Sequence, residues 1–232
     1  MNSALRSRTT EFEQLRKRII SCELCPRLRT YCQQVAQAKK RAYKDFEYWG
    51  KPVPGFGDPD SCLLVLGLAP AAHGGNRTGR MFTGGGSGEW LVRALHMFGF
   101  ANKESSLTRD DGLILKDTYL TATMRCAPPA NKPSRLEIEN CSSFLAEELN
   151  LLEHVKVVLA LGKVAFDAYL RHAPPDGFMQ RPTFRHGAAY RLGKESPLLV
   201  VSYHPSRQNT QTRRLSWEAW KGIFQTIHGV IA

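Results

Sequence analysis

The sequence predicts an α/β fold, built on a mostly parallel sheet that carries helices on both faces. The first observation is a set of short runs of strand length that are apolar or β-branched nearly throughout, as in strands covered on both sides. The second is a set of longer segments with helical periodicity that separate these runs. This alternation is typical of a parallel sheet with right-handed crossovers.

Four strands and four helices are expected in this alternation. The predicted strands span residues 63–68, 118–123, 155–161 and 198–203. The predicted helices span residues 88–98, 134–152, 162–171 and 215–228. Ser134 and Glu137 have the spacing of a capping box at the start of the second helix. We expect one domain over residues 1–232, with residues 1–50 as an N-terminal cap that carries a CxxC motif.

The composition is that of a chain with one well-sized core. The 232 residues are 42% hydrophobic, which suits a single globular α/β domain. No apolar run approaches the roughly 20 residues of a transmembrane helix, and the N-terminus lacks the apolar core of a secretory signal. Six cysteines in a chain of this length do not indicate a secreted disulfide scaffold. We expect a cytoplasmic monomer that does not enter a membrane.

The charge favours a polyanionic partner. The formal net charge is +11, and basic residues concentrate in segments 27–51 and 181–221. Such an excess is typical of nucleic-acid binding, although it also occurs where it only maintains solubility.

Two separated pairs of cysteines predict a metal site. The pairs are Cys22 with Cys25, in a CxxC motif, and Cys126 with Cys141. Four thiolates bind zinc or an iron–sulfur cluster, and the spacing alone does not separate the two. A redox dithiol fits less well, because its CxxC usually lies in a βαβ unit. Cys32 and Cys62 are interpreted as structural, with an additional ligand role left open for Cys32.

Polar and glycine-rich segments follow the predicted strands, at the edge where such sheets bind ligands. Segment 69–88 has seven glycines but no GxxxxGK[ST] phosphate-binding motif. Met81 and Phe82 lie within it, and the aromatic ring is interpreted as a stacking platform for a base or as an anchor of the loop.

His204 follows the last predicted strand directly. At that position a histidine can donate a hydrogen bond or transfer a proton, although a lone histidine is more often structural. The residues after it are polar and cationic, which suits contacts with a DNA backbone. The candidate DNA-binding residues are Ser206, Arg207, Asn209, Thr210, Arg213 and Arg214.

Together these segments resemble the uracil-DNA glycosylase superfamily, and within it the type 5 iron–sulfur branch. The matching segments are GFGDPD (55–60), GLAPAAHGGNRTGRMFTG (67–84), RCAPPANKP (125–133) and HPSRQNTQTRRL (204–215). The resemblance covers nearly the whole chain. It implies a three-layer α/β/α sandwich around a four-stranded parallel sheet.

The resemblance also implies an activity, a cofactor and a partner. The activity is that of a monofunctional glycosylase that hydrolyses the N-glycosidic bond of uracil, and of other deaminated or modified bases, to start base-excision repair. The cofactor is a [4Fe–4S] cluster on the four paired cysteines, with zinc as the alternative. The partner is uracil-containing or deaminated DNA, duplex or single-stranded, at a bacterial nucleoid.

Individual roles follow from the same resemblance. The catalytic candidates are His204, Asn131, Asn76 and His73. The substrate-binding candidates are Ala69, Pro70, Ala71, Gly74, Met81, Phe82, Asn131, His204 and Asn209. In this assignment His204 hydrogen-bonds a uracil carbonyl, Phe82 stacks on the flipped base, and the 204–214 loop enters the duplex.

One position departs from the family pattern. Type 5 members typically carry an aspartate after MFTG, where this chain has Gly85, and no carboxylate follows until Glu89. Water positioning then falls to Glu89, His73 or Asn76, or to DNA phosphates and fixed dipoles. The alternatives are a non-catalytic or weakly active binder of DNA that contains uracil or another lesion, and a zinc-stabilised nucleotide-binding protein.

Overall fold

A six-stranded sheet lies at the centre of the computed structural model, which describes residues 3–173 and 182–231. Its strands are β1 (Phe56–Gly57), β2 (Leu63–Gly67), β3 (Thr118–Ala122), β4 (Val157–Leu161), β5 (Ala189–Arg191) and β6 (Leu198–Ser202). Their order across the sheet is β1-β3-β2-β4-β6-β5. The four central strands are parallel, which confirms the four predicted strands and their parallel pairing.

The expected four-stranded sheet is extended by one short strand at each edge. Strands β1 and β5 pair antiparallel with β3 and β6. They have two and three residues, too few for an alternating pattern to be visible in the sequence. Arg181, the first residue of the second basic segment, lies outside the described residues.

Eight α-helices occur in the described part of the chain. They are α1 (Ser3–Ile20), α2 (Pro26–Ala38), α3 (Gly75–Thr78), α4 (Gly86–Met97), α5 (Arg135–Leu151), α6 (Lys163–His172), α7 (Arg207–Gln211) and α8 (Trp217–Ile231). Helices α4, α5, α6 and α8 confirm the four predicted helices. The capping box at α5 is also confirmed, since Ser134 accepts a bond from the Glu137 N–H and its own N–H donates to the Glu137 carboxylate.

The two faces of the sheet bury separate apolar cores. Leu63 and Val65 of β2 pack in a core that includes residues of α4 and α8. Leu64 and Leu66 point to the opposite face and pack with residues of α5 and α6, because successive side chains of a strand alternate between its faces. The helices therefore form layers above and below the sheet, and the α/β/α sandwich is confirmed.

The N-terminal segment packs beside α5. Leu15 and Ile19 of α1 are buried against Phe144 of α5. None of the helices among the described residues has the length and apolar character needed to cross a membrane. The single-domain organisation with a cap at residues 1–50 stays a prediction.

Candidate active site

A small cavity of about 100 Å³ lies where β2 and β6 end, at the carboxyl edge of the parallel sheet. Its lining includes seven of the nine predicted substrate-binding residues: Ala69, Pro70, Ala71, Gly74, Met81, Phe82 and His204. A larger cavity of about 400 Å³ beside α1 contains none of the predicted site residues. The fold thus brings the glycine-rich segment and His204 together in the smaller cavity.

Phe82 has a fixed place in the wall of this cavity. Its φ angle is +51°, a value that residues other than glycine seldom adopt. A Cβ at position 67 would lie 2.7 Å from the Phe82 ring, and one at position 88 would lie 2.0 Å from its carbonyl oxygen. Gly67 and Gly88 therefore leave the space that the phenylalanine occupies. The ring is held in one position, which suits a stacking platform for a base.

His204 is the one titratable side chain among the described residues that line the cavity. Burial lowers the pKa of its imidazole to about 4, and no hydrogen bond or charge in the described structure offsets this effect. The ring is therefore neutral at pH 7, with one N–H donor and one acceptor nitrogen. A neutral donor in a small cavity suits an acceptor on a bound base.

Helix α7 holds the backbone of His204. The His204 carbonyl oxygen accepts bonds from the Ser206 N–H at 2.7 Å and from the Asn209 side-chain amide at 2.8 Å. Ser206 caps α7 by accepting from the Asn209 N–H, and the Thr210 hydroxyl donates to the Ser206 carbonyl. Asn209 lies outside the cavity lining and supports the backbone of His204, and its predicted substrate contact stays a prediction.

The N-terminus of α4 faces the cavity. Gly85 is the residue before the helix and provides no side-chain cap, and the next three residues, Gly86, Ser87 and Gly88, line the cavity. The first N–H groups of a helix have no partner within it and carry a partial positive charge. This end of α4 was not predicted as part of the site, although its glycines stand in the segment that was.

No carboxylate occurs among the described residues that line the cavity. Glu89 is exposed on α4 and is not part of the lining. A Cβ at Gly85 would have no atom within 4 Å, and the backbone there is extended, with φ at −149°. A larger side chain at position 85 therefore fits without displacing any neighbour.

Three of the predicted catalytic residues lie outside the cavity lining. The Nδ1 atom of His73 is 3.1 Å from the Tyr48 hydroxyl. Asn76 is fully buried and donates to the Cys32 carbonyl at 3.2 Å. Asn131 is exposed in the turn after β3. His73 and Asn76 hold the loop against the N-terminal segment, so the structure does not support them as catalytic groups, and it does not bring Asn131 to the cavity.

Two buried arginines that the sequence reading missed hold the glycine-rich loop. Arg80 donates to the Thr83 hydroxyl at 2.9 Å and to Asp111 at 2.6 Å. Burial opposes ionisation of Asp111, but hydrogen bonds from Arg80 and from backbone N–H groups outweigh it and lower the pKa to about 2. Arg77 stacks on the Tyr43 ring at 4.3 Å. Burial of charges in a loop depends on tertiary packing, which no local pattern reveals.

Cationic side chains lie at the rim of the cavity and on α7. A Cβ at Gly86 would be 3.5 Å from the Arg207 side chain, which places this arginine at the cavity mouth. Arg213 and Arg214 are exposed, and Arg214 stacks on the Tyr203 ring at 4.4 Å. None of the ion pairs found in the described part of the chain involves these three arginines.

Three of the four predicted ligand cysteines share one apolar cluster next to the glycine-rich loop. Cys25, Cys126 and Cys141 are buried in it with Cys32, and Cys22 packs in a second cluster with Leu15, Ile19 and Phe144. Burial raises the pKa of the Cys25 and Cys141 thiols. Thiols in such surroundings ionise when a metal ion compensates their charge.

One polar side chain contacts a sulfur atom of this cluster. The Asn140 amide donates to the Cys25 sulfur at 3.4 Å. Ala69, which lines the cavity, also packs against the cysteine cluster. Within the described ranges, no three His, Cys, Asp or Glu side chains are arranged to hold a single metal ion. The choice between an iron–sulfur cluster and zinc stays a prediction.

Comparisons with known proteins agree with this geometry. The family model described as "Uracil DNA glycosylase superfamily" matches residues 54–226. The chain is 49% identical to a type-5 uracil-DNA glycosylase of Thermus thermophilus, over 86% of this chain and 89% of the relative. It is 45% identical to one of Mycobacterium leprae, over 91% and 92%. It is 41% identical to one of Pyrobaculum aerophilum, over 89% and 88%.

Proposed function

Because this chain belongs to the type-5 branch of the uracil-DNA glycosylase superfamily, we propose that its small cavity is where uracil is cut from DNA. The enzyme hydrolyses the N-glycosidic bond and leaves an abasic site, which starts base-excision repair. The observation that carries the proposal is a neutral His204 in the same cavity as Phe82 and the start of α4.

The base has to leave the duplex before it can react. A stacked base does not present its glycosidic bond, so the nucleotide is flipped out, at least cost where uracil is mispaired. The cavity is small, and Phe82 offers an aromatic surface for the extruded ring. The arginines at the rim and on α7 suit the flanking phosphates.

The groups in the cavity stabilise the charge that develops as the bond breaks. The bonding electrons pass to uracil, and the sugar becomes oxocarbenium-like. The His204 N–H and the free N–H groups at the start of α4 are donors for the uracil oxygen on which negative charge accumulates. Preorganised donors of this kind contribute about 3 kcal/mol each. Water then adds to C1′ and releases its proton.

In this chain, water adds to the sugar without a carboxylate in the cavity lining. In the proposal, DNA phosphates stabilise the cationic sugar and the α4 N-terminus stabilises the uracil anion, and water adds to the sugar without a general base. The expected consequence is slower turnover than with an acidic residue at position 85, since a positioned base typically contributes about 10²–10⁴-fold.

The four cysteines complete the proposal with a structural cofactor. Cys22, Cys25, Cys126 and Cys141 would hold a [4Fe–4S] cluster, with zinc as the alternative. When bound, the group would supply a structural cross-link and no reactive centre. The four cysteines come from the α1–α2 turn, the end of β3 and α5, and Ala69 packs against their cluster.

The proposal includes the form of the DNA substrate, the oligomeric state and the cellular location. One copy of the chain acts on uracil or another deaminated base, in duplex or single-stranded DNA. The positive net charge supports association with the chromosome in the cytoplasm. A binder that does not cut DNA is not favoured, because relatives at 41–49% identity are named as glycosylases.

A matched pair of histidine variants tests the proposal. His204→Ala should lower the single-turnover rate on a G·U duplex by about 10²–10³-fold, because a preorganised donor is lost. His96→Ala, at an exposed position on α4 outside the cavity lining, is the control and should leave the rate unchanged. DNA affinity should stay within about twofold in both. Equal rates for the two variants would remove His204 from the mechanism.

A further inference from the structure

Leu107 is an exposed leucine beside the mouth of the cavity. Leu107 is 65% exposed, and it lies between the buried Ser106 and the half-buried Thr108. A Cβ at Gly84 would lie 3.0 Å from the Leu107 carbonyl oxygen, and the Gly84 N–H donates to the Ser106 carbonyl at 2.8 Å. The leucine is therefore next to the 84–86 segment that borders the cavity.

The backbone of Leu107 is held on both sides. Its N–H donates to Asp111 at 2.7 Å, and its carbonyl oxygen accepts from Arg77 at 3.1 Å. Asp111 is itself paired with the buried Arg80. The same two arginines hold the cavity loop, so Leu107 and the cavity are parts of one rigid unit. Single exposed leucines are common on protein surfaces. Leu107 differs in that its backbone is held in place beside the proposed base-binding cavity.

The loop that was expected to enter the duplex has no exposed apolar side chain to insert. Residues 204–214 read HPSRQNTQTRR, and Pro205 is buried. The first apolar residue after them, Leu215, is fully buried in the core. Enzymes and architectural proteins that open a base stack often insert an apolar wedge such as leucine. The 204–214 loop offers cations for phosphates, and the wedge has to come from elsewhere.

We propose that Leu107 is this wedge: its side chain enters the duplex beside the target nucleotide and keeps the flipped uracil from returning. The inference rests on the proposed glycosylase function but assigns a residue outside the family motifs. Arg207, at the Gly86 end of the same rim, would hold a flanking phosphate while Leu107, at the Gly84 end, fills the opened step. A wedge acts only where there is a stack to open.

Cleavage rates on two forms of DNA separate this role from a structural one. Leu107→Ala should lower kcat/KM on a G·U duplex by about tenfold, since the cost of unstacking the base step is no longer offset by an inserted side chain. The rate on single-stranded uracil DNA should change less than about twofold. Ile114→Ala is the matched control, because Ile114 has 66% exposure on the same loop. Leu107→Met should retain most of the duplex rate.

Equal losses on both DNA forms, or no loss on the duplex, would overturn the wedge. A second measurement does not depend on cleavage. A duplex with 2-aminopurine next to uracil should brighten when the unaltered protein binds and brighten less with Leu107→Ala. Equal brightening would also overturn the proposal. Absence of cleavage of both DNA forms by the unaltered protein would count against the proposed function instead, and the fluorescence test would still decide the role of Leu107.

Discussion

Arg125 and Glu148 form a fully buried ion pair with two hydrogen bonds, Nη1–Oε1 at 3.1 Å and Nη2–Oε2 at 2.7 Å. Arg125 directly precedes Cys126, after the end of β3, and Glu148 lies two turns beyond Cys141 on α5. The pair therefore sets the position of one mid-chain cysteine relative to the other.

Removing the negative partner of this pair should be strongly destabilising. In Glu148→Gln the buried Arg125 keeps its charge without compensation, which typically costs about 3–5 kcal/mol of unfolding free energy. Glu147→Gln is the control, because Glu147 pairs with Arg18 at the surface, where such pairs contribute about 0–1 kcal/mol. Urea unfolding measures both. Similar free energies of unfolding for the two variants would contradict a structural role for the buried pair.

Loss of one ligand cysteine should remove the cofactor. Cys126→Ser should bind no iron and lose the broad visible absorbance of an iron–sulfur protein, with a lower Tm, because the cross-link between β3 and α5 is missing. Cys62→Ser, at the start of β2, should keep both. Iron analysis and absorbance of protein purified without oxygen provide the measurement. A coloured, iron-replete Cys126→Ser protein would refute the ligand assignment, and stoichiometric zinc in the unaltered protein would favour zinc.

His204 should titrate far below an ordinary histidine. Burial favours its neutral form, so NMR of the imidazole should show a pKa of about 4 against about 6.5 in the unfolded chain. The sign for stability follows from linkage: the unfolded state binds the proton first. The contribution of His204 is therefore complete above pH 6.5 and declines as the pH falls towards 4. A measured pKa near 6.5 would show that the ring is solvated.

Strands and helices were predictable because their patterns are local. The segments that form β2, β3, β4 and β6 are apolar or β-branched almost throughout. Ser134 and Glu137 have the capping-box spacing that marks the start of α5. The edge strands β1 and β5 were not predicted, because they are too short to show an alternation of apolar and polar residues. Their pairing depends on neighbours that are distant in sequence.

Site residues could be predicted where a sequence motif contains them, but not where tertiary packing determines their position. Phe82 and His204 reach one cavity as the motifs indicated. Asn76 is a polar residue in a motif, yet it is used to tie α3 to α2. Arg80 and Asp111 were missed because a buried ion pair has no signature in the sequence. The start of α4 could have been found, since a helix predicted to begin at a glycine-rich ligand edge implies free N–H groups there.

Cleavage of a G·U duplex by the unaltered chain, beside Gly85→Asp and Gly85→Ser, tests most directly whether this cavity works without a carboxylate. Both variants fit the open space at position 85 and can cap α4, but only aspartate adds a base. We expect a uracil-dependent, alkali-labile cut by the unaltered chain, a rate about 10²-fold higher for Gly85→Asp, and no gain for Gly85→Ser. Tight binding without a cut by the unaltered chain, or equal gains from serine and aspartate, would contradict this expectation.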